Sequence, residues 1–373
     1  MDSYDVAVIG AGPAGASAAL AARRAGASVL LLDRSDFPRD KACGDGIAAH
    51  TLDVLAELGV RDAVSGFAPV PALRLVAPGG GQVTRALPRP AYTVPRKVFD
   101  ARLVAAAVAA GADLRRHTVR RIESRPDRVV LDRMLSARAV VGADGAGSVV
   151  RRALGHGNNP DGHLAIAIRG YAPAGNGPVQ QQIITSGSGW PAYAWSFPIG
   201  DGRANIGYGE VLRGTPVSRS RLLDGLHTLL PELAADTVTD LRAHHLPLST
   251  SRPAPGRNRI VLAGDALSLI NPFTGEGIFY AVLSGALAGT AAATSPHRAA
   301  DRYAHALRRR LGRHLRHSSA VARLARRPVM VDAAIRAAQS DQRVFGVMVE
   351  LGLGDGLLDL RTLRKIGRGL VVR

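Results

Sequence analysis

Residues 4–9 (YDVAVI) form a short apolar, β-prone run that stops at Gly10-Ala11-Gly12-Pro13-Ala14-Gly15 and gives way to an alanine-rich helical stretch reaching residue 25. A second apolar run, 28–32, ends in Asp33, so the pattern predicts strand, tight turn, helix and strand. A loop rich in Pro, Gly and Asp (38–47) leads into a helix over 48–58. A strand ends at Pro95, an amphipathic helix follows over 98–110, and 114–119 reads as the next strand. After a hairpin-like region come strands at 137–141 and 259–262, each running into glycines. The uncharged run 277–296 has nearly the length of a membrane span, but its Gly, Ala, Ser and Thr content predicts a buried helix.

The turns between these elements carry the chemistry. Gly10 permits a tight turn, Gly12 lets backbone approach a pyrophosphate, and Gly15 lets helix and sheet pack closely. The helix N-terminus then presents unpaired N–H groups and its positive dipole end to phosphate. Asp33 lies 23 residues after Gly10, where a carboxylate accepts from ribose hydroxyls and favours a 2′-OH. Two further loops repeat the theme: residues 142–148, with Asp144-Gly145, and Gly264-Asp265 with Gly275 and Gly277. A plain nicotinamide site needs only the first loop, so three loops between residues 10 and 277 predict one long cofactor. Arg96 and Lys97 sit where a helix dipole disfavours cations, which reads as a bound anion or a solvated helix end. Cys43, taken alone, reads as a small buried apolar residue.

Residues 193–208 predict a β-hairpin turning at Gly200-Asp201-Gly202. Tyr193, Trp195 and Phe197 alternate onto one face, and both tryptophans, Trp190 and Trp195, fall in this region of a chain only 4% aromatic. Such a stripe is either core or the wall of a ligand cavity.

At 373 residues the chain is too long for one ordinary core, and 46% apolar with 21% charged residues is a soluble globular composition. The lone cysteine cannot close an intramolecular disulfide, and no Cys/His cluster predicts a metal site. No secretion signal is read at the N-terminus, so the protein is expected in the cytoplasm. The formal charge of +18 excludes an acidic scaffold. Residues 301–373 hold 16 basic and 6 acidic side chains, a net +10, and nine arginines without an acid lie between Arg302 and Arg327. Leu307, Leu311, Leu315, Val321 and Leu324 recur at helical spacing with one break after Leu315, which predicts an amphipathic helix with a basic face. No nucleic-acid-binding motif accompanies the charge, so nucleic acid is not an expected partner. The face is either solvated or meets anionic lipid headgroups at the inner membrane surface.

Three motifs make the sequence resemble the geranylgeranyl reductase branch of the FAD-dependent oxidoreductases, within the para-hydroxybenzoate-hydroxylase-like, glutathione-reductase superfamily. They are Lys41-Ala42-Cys43-Gly44-Asp45-Gly46, the segment from Gly264-Asp265 through Asn271-Pro272 and Gly275-Glu276-Gly277-Ile278 to Ser284-Gly285, and Tyr193 to Pro198 with Gly207-Tyr208-Gly209. The resemblance covers most of residues 4–290. It implies an α/β fold: a Rossmann-type FAD-binding domain from 1–70, 96–160 and 255–300, a β-rich substrate domain from 71–95 and 161–254, and C-terminal helices over 301–373 that cap the cavity. It implies that Gly10, Gly12, Ala14, Gly15, Asp33 and Arg34 hold the ADP half of FAD, and that Lys41, Gly44, Arg96 and Val119 border the cofactor. Asp144 matches the Asp-Gly loop of the class, Gly264 and Asp265 meet the ribityl chain, and Gly275, Gly277 and Ile278 face the flavin. Tyr193, Trp195, Phe197, Gly207 and Gly209 line a lipid cavity, and Cys43, near the flavin ring, is the catalytic nomination. The implied reaction saturates polyprenyl double bonds by hydride transfer, with NAD(P)H or a ferredoxin as electron donor. A FAD monooxygenase acting on an apolar or aromatic substrate is the alternative.

Overall fold

A computed structural model of the protein describes residues 2–187 and 191–371, so Trp190 lies outside the described residues. The chain opens with β1 (Asp2–Ile9), α1 (Pro13–Arg24) and β2 (Val29–Asp33). β3 (Gly46–Ile47) and α2 (Ala49–Glu57) follow the cysteine loop, and β4 (Val70–Val76) and β5 (Gln82–Thr93) make an antiparallel pair. Next come α3 (Arg96–Ala109), β6 (Asp113–Arg116), β7 (Ile122–Ser124), β8 (Val129–Leu131), β9 (Leu135–Gly142) and α4 (Val149–Ala153). The middle of the chain supplies β10 (Leu164–Pro173), β11 (Gln181–Thr185), β12 (Ala192–Pro198), β13 (Arg203–Val211), α5 (Arg219–Leu229) and β14 (Thr239–Pro247). β15 (Gly256–Arg257) and β16 (Ile260–Leu262) precede α6 (Ile278–Thr294), α7 (Ala299–Leu324), α8 (Pro328–Ser340), α9 (Gln342–Leu353) and α10 (Leu360–Val371).

These elements build two sheets. The first runs β15-β16-β9-β1-β2-β6, with β7 and β8 appended beside β9. Its central pairs are parallel, and strands covered on both faces read as unbroken apolar runs such as Val6 to Ile9 and Leu30 to Leu32. α1 and α6 pack together over it because the contact positions of α6 are small. A Cβ on Gly285 would sit 2.1 Å from the Ala14 carbonyl oxygen, and one on Gly289 would sit 2.0 Å from that of Ala18. Close helix packing thus accounts for the uncharged Gly/Ala-rich run, which is buried as expected. The second sheet runs β14-β10-β13-β12-β11-β4-β5-β3 and is antiparallel except where β11 meets β4.

Three expectations need adjustment. The strand expected over 114–119 ends at Arg116, because its partner β2 ends at Asp33, whose carbonyl accepts the last ladder bond from the His117 N–H, and Val119 lies in a loop. The helix expected from residue 98 starts at Arg96, directly after Pro95. α7 is one continuous helix, and of the expected apolar positions Leu307, Leu311 and Leu315 are buried, together with Tyr303, His314 and Ser318. The six-residue step from Leu315 to Val321 rotates the pattern off these positions, and Leu324 is exposed.

Candidate active site

A cavity of about 590 Å³ is lined by both sheets and collects most of the predicted residues. Gly10, Gly12, Ala14, Asp33, Arg34, Lys41, Cys43, Gly44, Arg96 and Val119 reach it, as do Asp144, Asp265, Gly275, Gly277, Ile278, Tyr193, Trp195 and Phe197. Gly15, Gly264 and Gly207 stand outside its lining, and Gly209 lines an adjoining chamber.

The first glycine loop is shaped by contact and by exposure. Gly10 has φ +95°, and a Cβ there would lie 2.3 Å from the Ala143 carbonyl oxygen. A Cβ on Gly15 would lie 1.7 Å from the Gly10 carbonyl oxygen, so these two glycines serve packing. Gly12 opens on the cavity, and a Cβ there would lie 3.4 Å from Nη2 of Arg39 and 3.9 Å from Nη2 of Arg96. It is the N-cap of α1 and no side chain caps the helix, so the N-terminal end is open to an anion beside two guanidinium groups. The Asp33 carboxylate accepts from the Ala11 N–H at 2.8 Å and the Ser35 N–H at 2.9 Å, and keeps lone pairs for further donors. This arrangement fits the phosphate and ribose half of a dinucleotide.

Arg96 is more than a free anion hook. Its Nε and Nη2 donate to the two carboxylate oxygens of Asp100 at 2.5 and 2.7 Å, one helical turn on, and both residues are buried. Arg39 adds a contact to Asp100 at 3.1 Å. Lys41 is likewise committed, with Nζ 3.1 Å from Asp265. Burial alone would raise the Asp265 pKa, but the charge and hydrogen bond of Lys41 outweigh it and hold the carboxylate low. Asp144 turns back into its own loop, accepting from the Ser148 hydroxyl at 2.5 Å and the Val149 N–H at 2.6 Å at the start of α4.

Sequence reasoning missed several residues here. His244, on β14, lines the cavity, and its buried Nε2 has no partner. Burial pushes its pKa down to about 4, so the ring is neutral and offers one free polar atom. Asp45 is fully buried with φ +60°; it accepts from the Tyr171 hydroxyl at 2.6 Å and from Asn205 Nδ2 at 2.7 Å. Burial raises its pKa to about 6. Asn205 also donates to the Cys43 carbonyl at 2.9 Å and accepts from Trp195 Nε1 at 2.8 Å, linking the cysteine loop to the aromatic hairpin. Arg169 lies over the Tyr171 ring and reaches Asp40 at 2.7 Å.

Cys43 accepts the Asp45 N–H at 3.3 Å, and burial pushes its thiol up, so it stays protonated at neutral pH. Gly44 faces the aromatics: a Cβ there would stand 3.3 Å from Trp195 Nε1. The Tyr193 hydroxyl donates to the Thr274 carbonyl at 2.5 Å, and a Cβ on Gly275, φ +72°, would sit 2.5 Å from that hydroxyl. Glu276 accepts from the Phe279 N–H at 2.8 Å at the start of α6, and burial raises its pKa to about 7.

Behind the aromatic wall lies a smaller chamber of about 130 Å³ that shares Leu73, Ile183, Tyr193, Leu246, Thr274 and Leu353 with the main cavity. Phe273, Met348, Val331 and Ile335 make it strongly apolar, so the C-terminal helices α8 and α9 form part of its wall. Its carboxylate, Glu210, is bound by Arg221 at 2.9 Å and the Tyr208 hydroxyl at 3.0 Å. α9 and α7 hold the loop before α6. Asn271 Nδ2 donates to the Tyr280 hydroxyl and to the Leu351 carbonyl, each at 3.0 Å. Tyr280 meets His314 Nε2 at 2.7 Å, and His314 Nδ1 meets the Gly356 carbonyl at 2.8 Å. A carbonyl only accepts, so Nδ1 carries the proton and Nε2 receives that of Tyr280. Burial lowers the His314 pKa, which agrees with the neutral ring.

Residues 3–168 match the FAD binding domain family. Menaquinone reductase of Mycolicibacterium smegmatis is 33% identical over 76% of this chain and 75% of its own. Digeranylgeranylglycerophospholipid reductase 1 of Methanopyrus kandleri is 34% identical over 78% of this chain and 80% of its own. A geranylgeranyl bacteriochlorophyll reductase-like protein from Thermoplasma acidophilum shares the fold, with TM-score 0.81 at 21% identity over 99% of this chain and 97% of its own. Fold, glycine loops and relatives together define an FAD-dependent oxidoreductase with a Rossmann-type cofactor domain. The chain belongs to the geranylgeranyl reductase family of these enzymes. Among the described residues no helix is long and apolar enough to cross a membrane.

Proposed function

We propose that the protein saturates carbon–carbon double bonds of a polyprenyl group carried by a lipid or other isoprenoid. The observation that carries this reading is an apolar chamber that shares the wall of Ile183, Tyr193 and Leu246 with the main cavity, an arrangement that suits a hydrocarbon chain. The relatives support it, since menaquinones and digeranylgeranylglycerophospholipids both bear isoprenoid chains.

Residues 1–70, 96–160 and 255–300 act as the FAD domain, 71–95 and 161–254 as the substrate domain, and 301–373 as the helical cap. The α1 N-terminus at Gly12 holds the pyrophosphate and Asp33 the ribose, with Arg34 beside it. Asp265, Gly275, Gly277 and Ile278 border the ring end, where the α6 N-terminus favours negative charge. FAD, when bound and reduced, would supply the hydride. Tyr193, Trp195 and Phe197 orient the alkene and exclude water, while the protonated Cys43 thiol delivers the proton to the second alkene carbon. Electrons come from NAD(P)H, with a ferredoxin as the alternative, and the protein works in the cytoplasm against the inner membrane face.

Anaerobic incubation of the prereduced protein with a prenyl lipid tests the reading. A reductase adds one H₂ per reduced bond without oxygen, whereas a monooxygenase leaves the lipid mass unchanged.

A further inference from the structure

We propose that α10 and the corner between α7 and α8 form one docking face for an anionic phospholipid bilayer. The inference rests on the lipid-substrate reading above and places its membrane contact.

On α10, the exposed side chains Leu360, Leu363 and Leu370 fall within an arc of about 80° at 100° per residue, and Arg361, Arg364 and Arg368 occupy the adjoining arc. Leu360 is 73% exposed and shares its arc with the exposed Leu363 and Leu370, so the three form an apolar strip rather than scattered single residues. The opposite side of α10 is fastened to α8. Lys365 pairs with Asp341, the Gly369 carbonyl accepts from Arg336 at 2.9 Å, and a Cβ on Gly369 would stand 3.1 Å from the Ala333 carbonyl oxygen. Lys365 lies against the end of α8 and Gly369 near its middle, so the helices run antiparallel and α10 leads back toward the start of α8.

There the α7–α8 corner exposes Leu324 (47%) and Val329 (50%) beside the exposed Arg323, Arg326 and Arg327. The inward residues of the same corner, Ala325 and Val331, line the apolar chamber. One short stretch of chain therefore walls the hydrocarbon chamber inside and presents leucine, valine and arginine outside.

Charge and polarity select the occupant. Basic residues beside exposed aliphatic side chains match anionic headgroups over acyl chains. A nucleic acid would leave the leucines in water, and a second copy of this face would meet the same positive charge.

Flotation of the FAD-loaded protein with phosphatidylglycerol/phosphatidylcholine vesicles tests the assignment. The wild type should float at low salt and not with phosphatidylcholine alone. R361E/R364E/R368E and, separately, L324S/V329S should each lower the bound fraction about tenfold. R120E/R125E/R128E, an equal charge change on the β7–β8 hairpin, should bind like wild type. Melting temperature and flavin content confirm folding, and reduction of a short soluble prenyl substrate should stay within twofold of wild type in every variant, since none of these residues lines the main cavity or the apolar chamber. Equal flotation of the α10 variant, loss in the hairpin control, or a wild type that ignores the vesicles overturns the docking face. A wild type that floats in this residue-dependent way yet reduces no prenyl substrate leaves the docking face standing and removes the proposed reaction.

Discussion

Trp195 pairs directly with Gly207 across β12 and β13, and a Cβ on Gly207 would lie 2.1 Å from the indole ring. The missing side chain is what allows the indole to lie along the strand and reach Asn205 with Nε1. Gly207→Ala should displace the ring and break that bond, costing about 1–3 kcal/mol of stability by overpacking. Prenyl reduction should fall more than tenfold with FAD still bound. Thermal melts, flavin absorbance and turnover read the three effects.

Asp45 makes stability depend on pH in a direction opposite to that of most carboxylates. Burial raises its pKa to about 6 from the usual 3.8, so the buried acid is favoured in its neutral form. The contribution is complete below pH 4 and is lost as pH rises through 6. The gap corresponds to roughly 3 kcal/mol at about 1.36 kcal/mol per pH unit. Asn tolerates the positive φ at this position, so Asp45→Asn should fold and lack this decline. Denaturant melts of both proteins between pH 4 and 8 check it; parallel curves would contradict it.

His314 is a positioning residue for the loop before α6. His314→Leu removes the acceptor of the Tyr280 proton and leaves the Gly356 carbonyl without its donor. Stability should drop by about 1–3 kcal/mol. The Asn271 loop should loosen, and FAD should dissociate faster during gel filtration. A purely local defect would lower the melting temperature and leave flavin retention unchanged.

Cys43 carries the proton-donor proposal. Cys43→Ala should slow alkene reduction on the order of a hundredfold, the usual scale for loss of a general acid, while reduction of the flavin by its donor proceeds normally. Rapid-mixing absorbance separates the two half-reactions. Unchanged alkene reduction in the alanine variant removes Cys43 from the chemistry.

The glycine turns were legible in the sequence because their determinants are local. Gly10, Gly12, Gly15 and Asp33 act through one turn and one βαβ unit, and the spacing reports the geometry. The ion pair that claims Arg96 was within reach too, since Asp100 lies one helical turn on. The bond between Asp45 and Asn205 was not, because 160 residues separate them and only the packing of the second sheet onto the cysteine loop joins them. His244 gave no signal either. It sits half-buried in a polar strand, and its place in the cavity wall comes from the assembly of the two sheets. The basic C-terminal charge was visible, but its division between α7 and α10 required the helices to be seen in place.

The most direct test of the account is mass spectrometry of a prenyl lipid after anaerobic mixing with the prereduced protein. The account predicts a mass increase of one H₂ for each reduced bond, together with return of oxidised-flavin absorbance. Reoxidation only after oxygen is admitted, with the lipid unchanged or hydroxylated, would contradict it.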